Sequence, residues 1–444
     1  TPGRCPFDDS ISIETGTRIA CRSALCRCRN AVTLVGVGVR SRLAIAGALL
    51  LSVTVAVGVA TPTVTSAAPA TPVSVVSGAT YTSVSCTSQV YDSVATVMEV
   101  YVDGPNIYVG GCFLDWNGIA AADYIAKWNG TSWSALGADS GGDGFLKGPV
   151  FAIDKAGNDI VVGGKFSYER TGGSSYGIVS WTGAAWDATI GTVSCGGRNW
   201  NRLWYLDEVH DLAVDGSNTY MTGRIGGAFR CVGGMPNNSF TYNDFAKWDG
   251  SELAVLTPTW DFATWPTEVE VMSSGDVYVG VGYKCGASCT WSTARKNKLL
   301  WKYSSSTWSA VTWDVVAPTG SFVMGPPDRM GIFELAKDAS GNLLVGGYFA
   351  DAGGIATADY IAKYDGSAWS SIGTIPYDTY GEPGVSSIAR VGSVLYFAST
   401  FSTRPLWSWT AASGTFRPVG TFSMGGYTKH LAVVASGSTL YLGG

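Results

Sequence analysis

From Val97 onward the chain is written in short apolar runs cut by Gly, Asp and Asn. In its clearest stretch a run at 334–337 ("ELAK") meets a turn at 338–342 ("DASGN") and a second run at 343–347 ("LLVGG"). A third run at 360–364 ("YIAKY") is closed by Asp365-Gly366, and a fourth follows at 368–372 ("AWSSI"). Branched and aromatic residues in short runs, separated by residues that tolerate positive φ or bond their own backbone, predict an antiparallel meander of four strands. No segment beyond the leader carries helical periodicity.

The stretch 345–373, "VGGYFADAGGIATADYIAKYDGSAWSSIG", recurs nearly intact at 109–137, "VGGCFLDWNGIAAADYIAKWNGTSWSALG". More distant copies place repeats near 97–137, 150–191, 209–257, 269–312, 332–373 and 385–420. A last copy begins at Leu431 and holds two strands before Gly444. Four-stranded units at a recurring period predict an all-β β-propeller of four-stranded blades. Residues 73–85 align without gaps on 361–373, with Gly78 on Gly366 and Tyr81 on Trp369. The expectation is therefore seven blades over 71–444, the N- and C-termini sharing a closing blade made of 431–444 plus 73–85. Sharing it leaves no open sheet edge. The competing reading is a chain cut at Gly444 with more blades beyond.

The diglycine ending the second strand (Gly110-Gly111, Gly163-Gly164, Gly346-Gly347) and the aromatic–Asp/Asn–Gly that precedes a Trp resemble known repeats. Here the latter are Trp128-Asn129-Gly130 with Trp133 and Tyr364-Asp365-Gly366 with Trp369. The pattern resembles secreted bacterial β-propellers of the kelch and galactose-oxidase-central-domain type. The aromatic-to-Trp spacing is shorter than in standard kelch repeats. Three copies lose the diglycine, at Thr222-Gly223, Val279-Gly280 and Ala398-Ser399. The resemblance implies a fold and no particular activity. Its galactose-oxidase branch implies a copper site of two His and two Tyr with one adjacent pair. His210 and His430 both start inner strands, but no Tyr-His pair exists, so no copper or other cofactor is expected.

Residues 1–36 hold Cys5, Cys21, Cys26 and Cys28 and match nothing downstream. They read as an over-extended frame or a disordered leader. Arg40 and Arg42, the apolar run 43–60 and Ala68-Pro69-Ala70 then read as a signal peptide over 37–70, with an uncleaved anchor as the alternative. Either way the propeller is expected outside the cell. Of the 29 Lys+Arg and 34 Asp+Glu, the first 70 residues carry 7 and 3, leaving 22 against 31. An acidic, aromatic-rich chain excludes nucleic acid and anionic membranes as natural partners. An extracellular glycan or protein is the expected partner, and a monomer the expected state.

Six cysteines remain after the leader, an even number that suits an oxidising compartment. Cys86 and Cys112 hold the same positions relative to the repeat as Cys195 and Cys231, so the register suggests two equivalent bridges. Cys285 and Cys289 would close the loop "CGASC". Two histidines give the cysteines little help as metal ligands. Asp154, Asp338, Asp103 and Asp215 sit in hairpins without the spaced oxygen ligands of a calcium loop, and turn chemistry accounts for them. Tryptophans 128, 133, 186, 248, 308 and 369 recur at equivalent positions, as wedges between blades.

The connections are lopsided. Links between strands one and two, and three and four, are tight; those between strands two and three, and between blades, are long. In a meander the two long classes leave the same face, and loops on a rigid scaffold carry function. Trp200, Trp204, Tyr205 and Asp207, then Trp260 and Trp265, then Trp291, Tyr377 and Tyr380 are the candidate ligand-binding residues there. Aromatic planes beside carboxylates suit sugar rings. The expected function is a secreted binding module for a glycan or surface protein. Competing readings are a carbohydrate-active hydrolase, lyase or oxidase using loop carboxylates, and an adhesive part of a larger surface protein. Buried carboxylates with raised pKa in the channel mouth would favour the enzyme; a flat aromatic platform would favour binding. No catalytic residue is assigned.

Overall fold

The computed structural model describes residues 80–86, 96–170, 173–188, 190, 192–195, 198–201, 206–225, 230–232, 235–237, 244–251, 253–256, 264–284, 299–311, 329–376, 384–400, 406–419 and 432–443. Antiparallel meanders of four strands run one after another along it. The first is Val97–Asp103, Asn106–Gly111, Ile125–Trp128 and Trp133–Ser134. The next ones begin at the inner strands Val150–Ala156, Leu206–Asp215, Thr264–Val271, Arg329–Lys337 and Gly384–Val391. The hairpin Ala432–Ser436 with Thr439–Gly443 closes the series.

Each inner strand packs against the next, and Ala432–Ser436 packs against Val97–Asp103, so the inner strands form a closed ring. The hydrophobic core is divided in the same way, between consecutive sheets. Tyr108 and Ile125 meet Val150 and Ile160, and Ala213 and Phe245 meet Val269 and Val277. The last hairpin's Ala432, Val434 and Tyr441 meet Val97 and Val109 of the first meander. Radial sheets that bury both faces against their neighbours around a ring make a β-propeller.

The diglycines hold this ring at its tightest point. A Cβ on Gly110 would stand 2.5 Å from Val150 Cγ1, and one on Gly346 would stand 2.6 Å from Val385 Cγ1. Gly443 faces Val97 in the same way, at 2.4 Å, across the closure. The first glycine thus admits the next blade's branched residue. The second lies on a carbonyl at the head of its own inner strand, where a Cβ on Gly347 would stand 2.1 Å from the Gly331 oxygen. Register corrects one reading of the sequence: Glu268 opposes Gly280 as Glu99 opposes Gly110, so in the fourth copy Gly280 is the first glycine and Val281 follows it.

Thr82–Ser83, which the alignment puts in the outermost strand of the closing blade, pairs instead with Phe113–Leu114. Tyr81 stacks on buried Trp116 with ring centroids 6.0 Å apart. Cys86 and Cys112 form a disulfide with Cα atoms 6.1 Å apart, which pins this strap to the first blade. Residues 73–79 lie outside the described residues.

Candidate functional site: the loop-bearing face and the mouth of the channel

Inner and second strands are joined by short turns, 104–105 in the first meander and 157–158, 216–217, 392–393 and 437–438 in others. The second and third strands are separated by 226–243 in the third meander, 285–299 in the fourth and 349–360 in the fifth. Links between meanders span 188–205, 311–328 and 419–431. The long connections therefore leave the end at which the inner strands begin.

Where these connections are described they are built, not loose. In 112–124, Asp123 Oδ1 accepts the Asp115 N–H at 2.9 Å, and in 349–360, Asp359 Oδ1 accepts the Asp351 N–H at 3.0 Å. Asp115 and Asp351 share a left-handed conformation, φ 54° and 57°, as do Tyr124 and Tyr360, φ 60° and 63°. Two aspartates eight residues apart thus fold both copies alike. At the opposite end, Asp338 Oδ1 accepts the Ser340 and Asn342 N–H groups at 2.8 and 2.9 Å, so the turn uses that carboxylate.

Trp265 lies in the inner strand Thr264–Val271, half-buried and opposite Gly282. Trp200 lies in Arg198–Asn201, which pairs with Thr192–Cys195 in the link between the second and third meanders. Asp207 stands at a bulge of Leu206–Asp215. Trp204, Tyr205, Trp260, Trp291, Tyr377 and Tyr380 lie outside the described residues, as do Cys285 and Cys289. Cys195 and Cys231 are placed in strands, their side chains outside the description.

What the structure brings together is a set of carboxyl groups that sequence reasoning passed over. Four inner strands bulge near their starts just before an acid, between Val97 and Glu99, Val209 and Asp211, Pro266 and Glu268, and Ile332 and Glu334. The residue after the bulge turns into the central channel. Glu99, Asp211, Glu268 and Glu334 consequently line one cavity of about 50 Å³, with His210 and Ser387 beside them. A sequence signal existed: an acid recurs two residues after an aliphatic residue in V-M-E, V-H-D and I-F-E, at the head of an otherwise apolar strand.

These groups are partly exposed, each lining the channel cavity. Burial first, and then the charges of the neighbouring acids, push Glu99, Glu268 and Glu334 well above the ordinary 4.5. Asp211 is pushed up to about 7, chiefly by burial, and a hydrogen bond between Asp211 and Glu268 helps keep Glu268 protonated. His210 Nδ1 donates to the Pro266 carbonyl at 2.7 Å, its Nε2 stands 3.8 Å from Glu208 Oε1, and burial lowers its pKa. One layer further in, Lys337 pairs with Glu270 at 2.8 Å and Lys155 with Asp103 at 2.7 Å, each joining adjacent blades.

The same side chains stitch the ring. Asp211 Oδ1 accepts the N–H of Leu212 at 2.8 Å, and Oδ2 that of Val269 in the next inner strand at 2.7 Å. Asp154 does the same for Lys155 and Val214, at 2.7 and 2.8 Å. Glu334 accepts from Ile388, and Ser387 Oγ from Val433 at 3.2 Å. Inner strands of neighbouring blades share no ladder here, so these bonds satisfy N–H groups that would otherwise be orphaned. Among the described residues no group of three His, Cys, Asp or Glu is arranged to hold a metal ion.

No family model and no curated protein matches the chain. Among solved structures it is similar to the extracellular domain of a one-component system of B. thetaiotaomicron, at 10% identity over 82% of this chain and 38% of that one, with a TM-score of 0.45. It is similar also to a GH74 xyloglucanase from Xanthomonas campestris (16% identity, 77% and 46% of the two chains, TM-score 0.42). A third is YCF48 bound to a D1 peptide (10%, 81% and 88%, TM-score 0.38). The chain thus spans less than half the length of the first two. Similarity this distant bears on no residue of the site, and the propeller rests on the sheet pairing of this chain.

Proposed function

We propose that the protein is an extracellular binding module whose ligand, a glycan or a surface protein, docks on the loop-bearing face. In this reading it is a kelch-like ring of seven blades, exported by the 37–70 leader. The last hairpin is completed by residues upstream of the strap. The observation that carries the reading is the asymmetry of the connections: one end of the ring has tight turns, while the long segments between the described strands leave the other. Rigid scaffolds present variable loops for recognition. The strap disulfide and Trp265 at the head of an inner strand are consistent with this use.

The enzyme reading has a specific observation behind it too, the raised carboxyl groups of the channel mouth. Two magnitudes weigh against it. The cavity of about 50 Å³ takes a few waters, whereas pockets that engulf a ligand occupy roughly 300–1,000 Å³. The two carboxyls that share a proton are also spoken for, because Asp211 accepts two backbone N–H groups. Burial and stitching account for their raised values without a substrate.

The test is a screen of the full chain against polysaccharides, glycans and cell-surface proteins, with reducing-sugar release followed in the same samples. Saturable binding without turnover, weakened at least tenfold by Trp204→Ala or Trp265→Ala, is the expected result. Turnover abolished by Asp211→Asn would overturn it in favour of the enzyme.

A further inference from the structure

The channel mouth has a property that does not depend on what the loops bind. Glu99, Asp211, Glu268 and Glu334 come from four different inner strands and meet in one small cavity. The titratable and charged groups facing them, strand by strand, are as follows. Val97–Asp103 adds Tyr101 and Asp103, and Val150–Ala156 adds Asp154 with Lys155. Leu206–Asp215 adds Glu208 and His210, and Thr264–Val271 adds Glu270. Arg329–Lys337 adds Lys337, while Gly384–Val391 offers Ser386 and Ser387, and Ala432–Ser436 offers no charge at the mouth.

The two lysines are committed one layer below, Lys155 to Asp103 and Lys337 to Glu270. His210 spends its Nδ1 proton on the Pro266 carbonyl, and burial lowers its pKa. Among the described residues that line it, the mouth therefore gathers four acids from four blades and no Lys or Arg to offset them. If all four ionised, like charges would face one another across a cavity a few ångströms wide, in a medium that screens them poorly.

We propose that the mouth of the channel is a proton-dependent clasp: carboxyl groups from four blades share protons across the cavity and hold the inner ring together in acid and at neutral pH, and lose that hold as the medium becomes alkaline. The Asp211–Glu268 hydrogen bond is the protonated contact of this clasp. The stitches from Val269 to Asp211 and from Ile388 to Glu334 transmit its state to the strands on either side. The direction of the linkage follows from the folded groups binding protons more tightly than the unfolded chain. Such groups add stability that is complete below their ordinary values and is lost as pH rises through the folded ones. The window opens above the ordinary carboxylate value of 4.5 and includes the Asp211 step at about 7.

The experiment is a series of thermal melts of the full chain across that window and into mild alkali, at constant ionic strength. They are repeated on a variant carrying Glu99→Gln, Glu268→Gln and Glu334→Gln. Gln copies the shape and donor of a protonated Glu and cannot ionise. The midpoint of the natural chain is expected to fall as pH rises, and that of the variant, which keeps only the Asp211 step of the four, to fall less. A natural chain whose midpoint is flat or rises across the window would overturn the proposal, as would a variant that keeps the full slope. Should the variant fail to fold, the infrared carbonyl band of protonated carboxyl groups decides on the natural chain. Its presence at neutral pH and loss in alkali supports the clasp, and its absence at neutral pH contradicts it.

Discussion

At the first glycine of each diglycine, a side chain as small as methyl has nowhere to go. On Gly346 the added Cβ would stand 2.6 Å from Val385 Cγ1 and 3.1 Å from its Cβ, atoms of a stiff branched residue packed at the head of the next inner strand. Gly346→Ala is expected to destabilise by about 1–3 kcal/mol, the usual cost of overpacking. Because the clash is with one partner, Val385→Ala in the same chain recovers part of that loss. Denaturant melts of the two single variants and the double variant measure the coupling, and strictly additive losses would contradict the contact. The channel acids belong to the same scale. In sequence they read as lapses in an apolar strand, since nothing local says that the bulge turns Glu99, Asp211, Glu268 and Glu334 toward one axis. The glycines were legible as a recurring pair, but their reason lies in the neighbouring blade.

The four-stranded meander was legible because alternation and turn chemistry are local, and each strand run is bounded by residues with one clear backbone role. The recurring tryptophans were legible as well, and the structure shows what they touch. Trp369 lies 4.9 Å from Tyr364 and packs with Tyr278 and Leu300 of the preceding blade. Trp308 donates to the Leu256 carbonyl and meets Phe245, again one blade back. Trp369→Ala should cost about 3 kcal/mol, toward the lower end for large aromatics because the ring is only half-buried; an unchanged melt would remove it from the interblade contact. The strap is where two sequence arguments met. Gap-free alignment assigned 73–85 to the closing blade and the repeat register tied Cys86 to Cys112; the bridge forms, and Thr82–Ser83 beside it pairs with Phe113–Leu114. Closing a segment of 26 residues, the bridge is worth about 3.5 kcal/mol on the chain-entropy account. The Cys86→Ser, Cys112→Ser variant should melt correspondingly earlier under oxidising conditions. Equal melts with and without the bridge would show that the strap adds nothing.

On the scale of the whole molecule, one relation makes sense of the rest: the last hairpin packs on the first inner strand. Only a closed ring makes a channel with a mouth, gives each sheet two neighbours to bury its faces against, and gathers the long connections at one end. The repeat made the ring expected, but repetition alone does not close it, because closure depends on curvature summed over every interface. The loop face is where sequence reasoning carried least, since its aromatics sit in long connections with no periodic pattern to place them. Closure can be tested directly. Val97 and Gly443 are 346 positions apart in sequence (443 less 97), yet a Cβ on Gly443 would lie 3.0 Å from Val97 Cβ. The measurement is peptide mapping of the chain carrying Val97→Cys and Gly443→Cys after mild oxidation. A closed ring predicts one intramolecular disulfide joining the two positions in the monomer, as side chains this near require only a small adjustment to bridge. Two free thiols, or pairing only between molecules, would contradict the closed propeller.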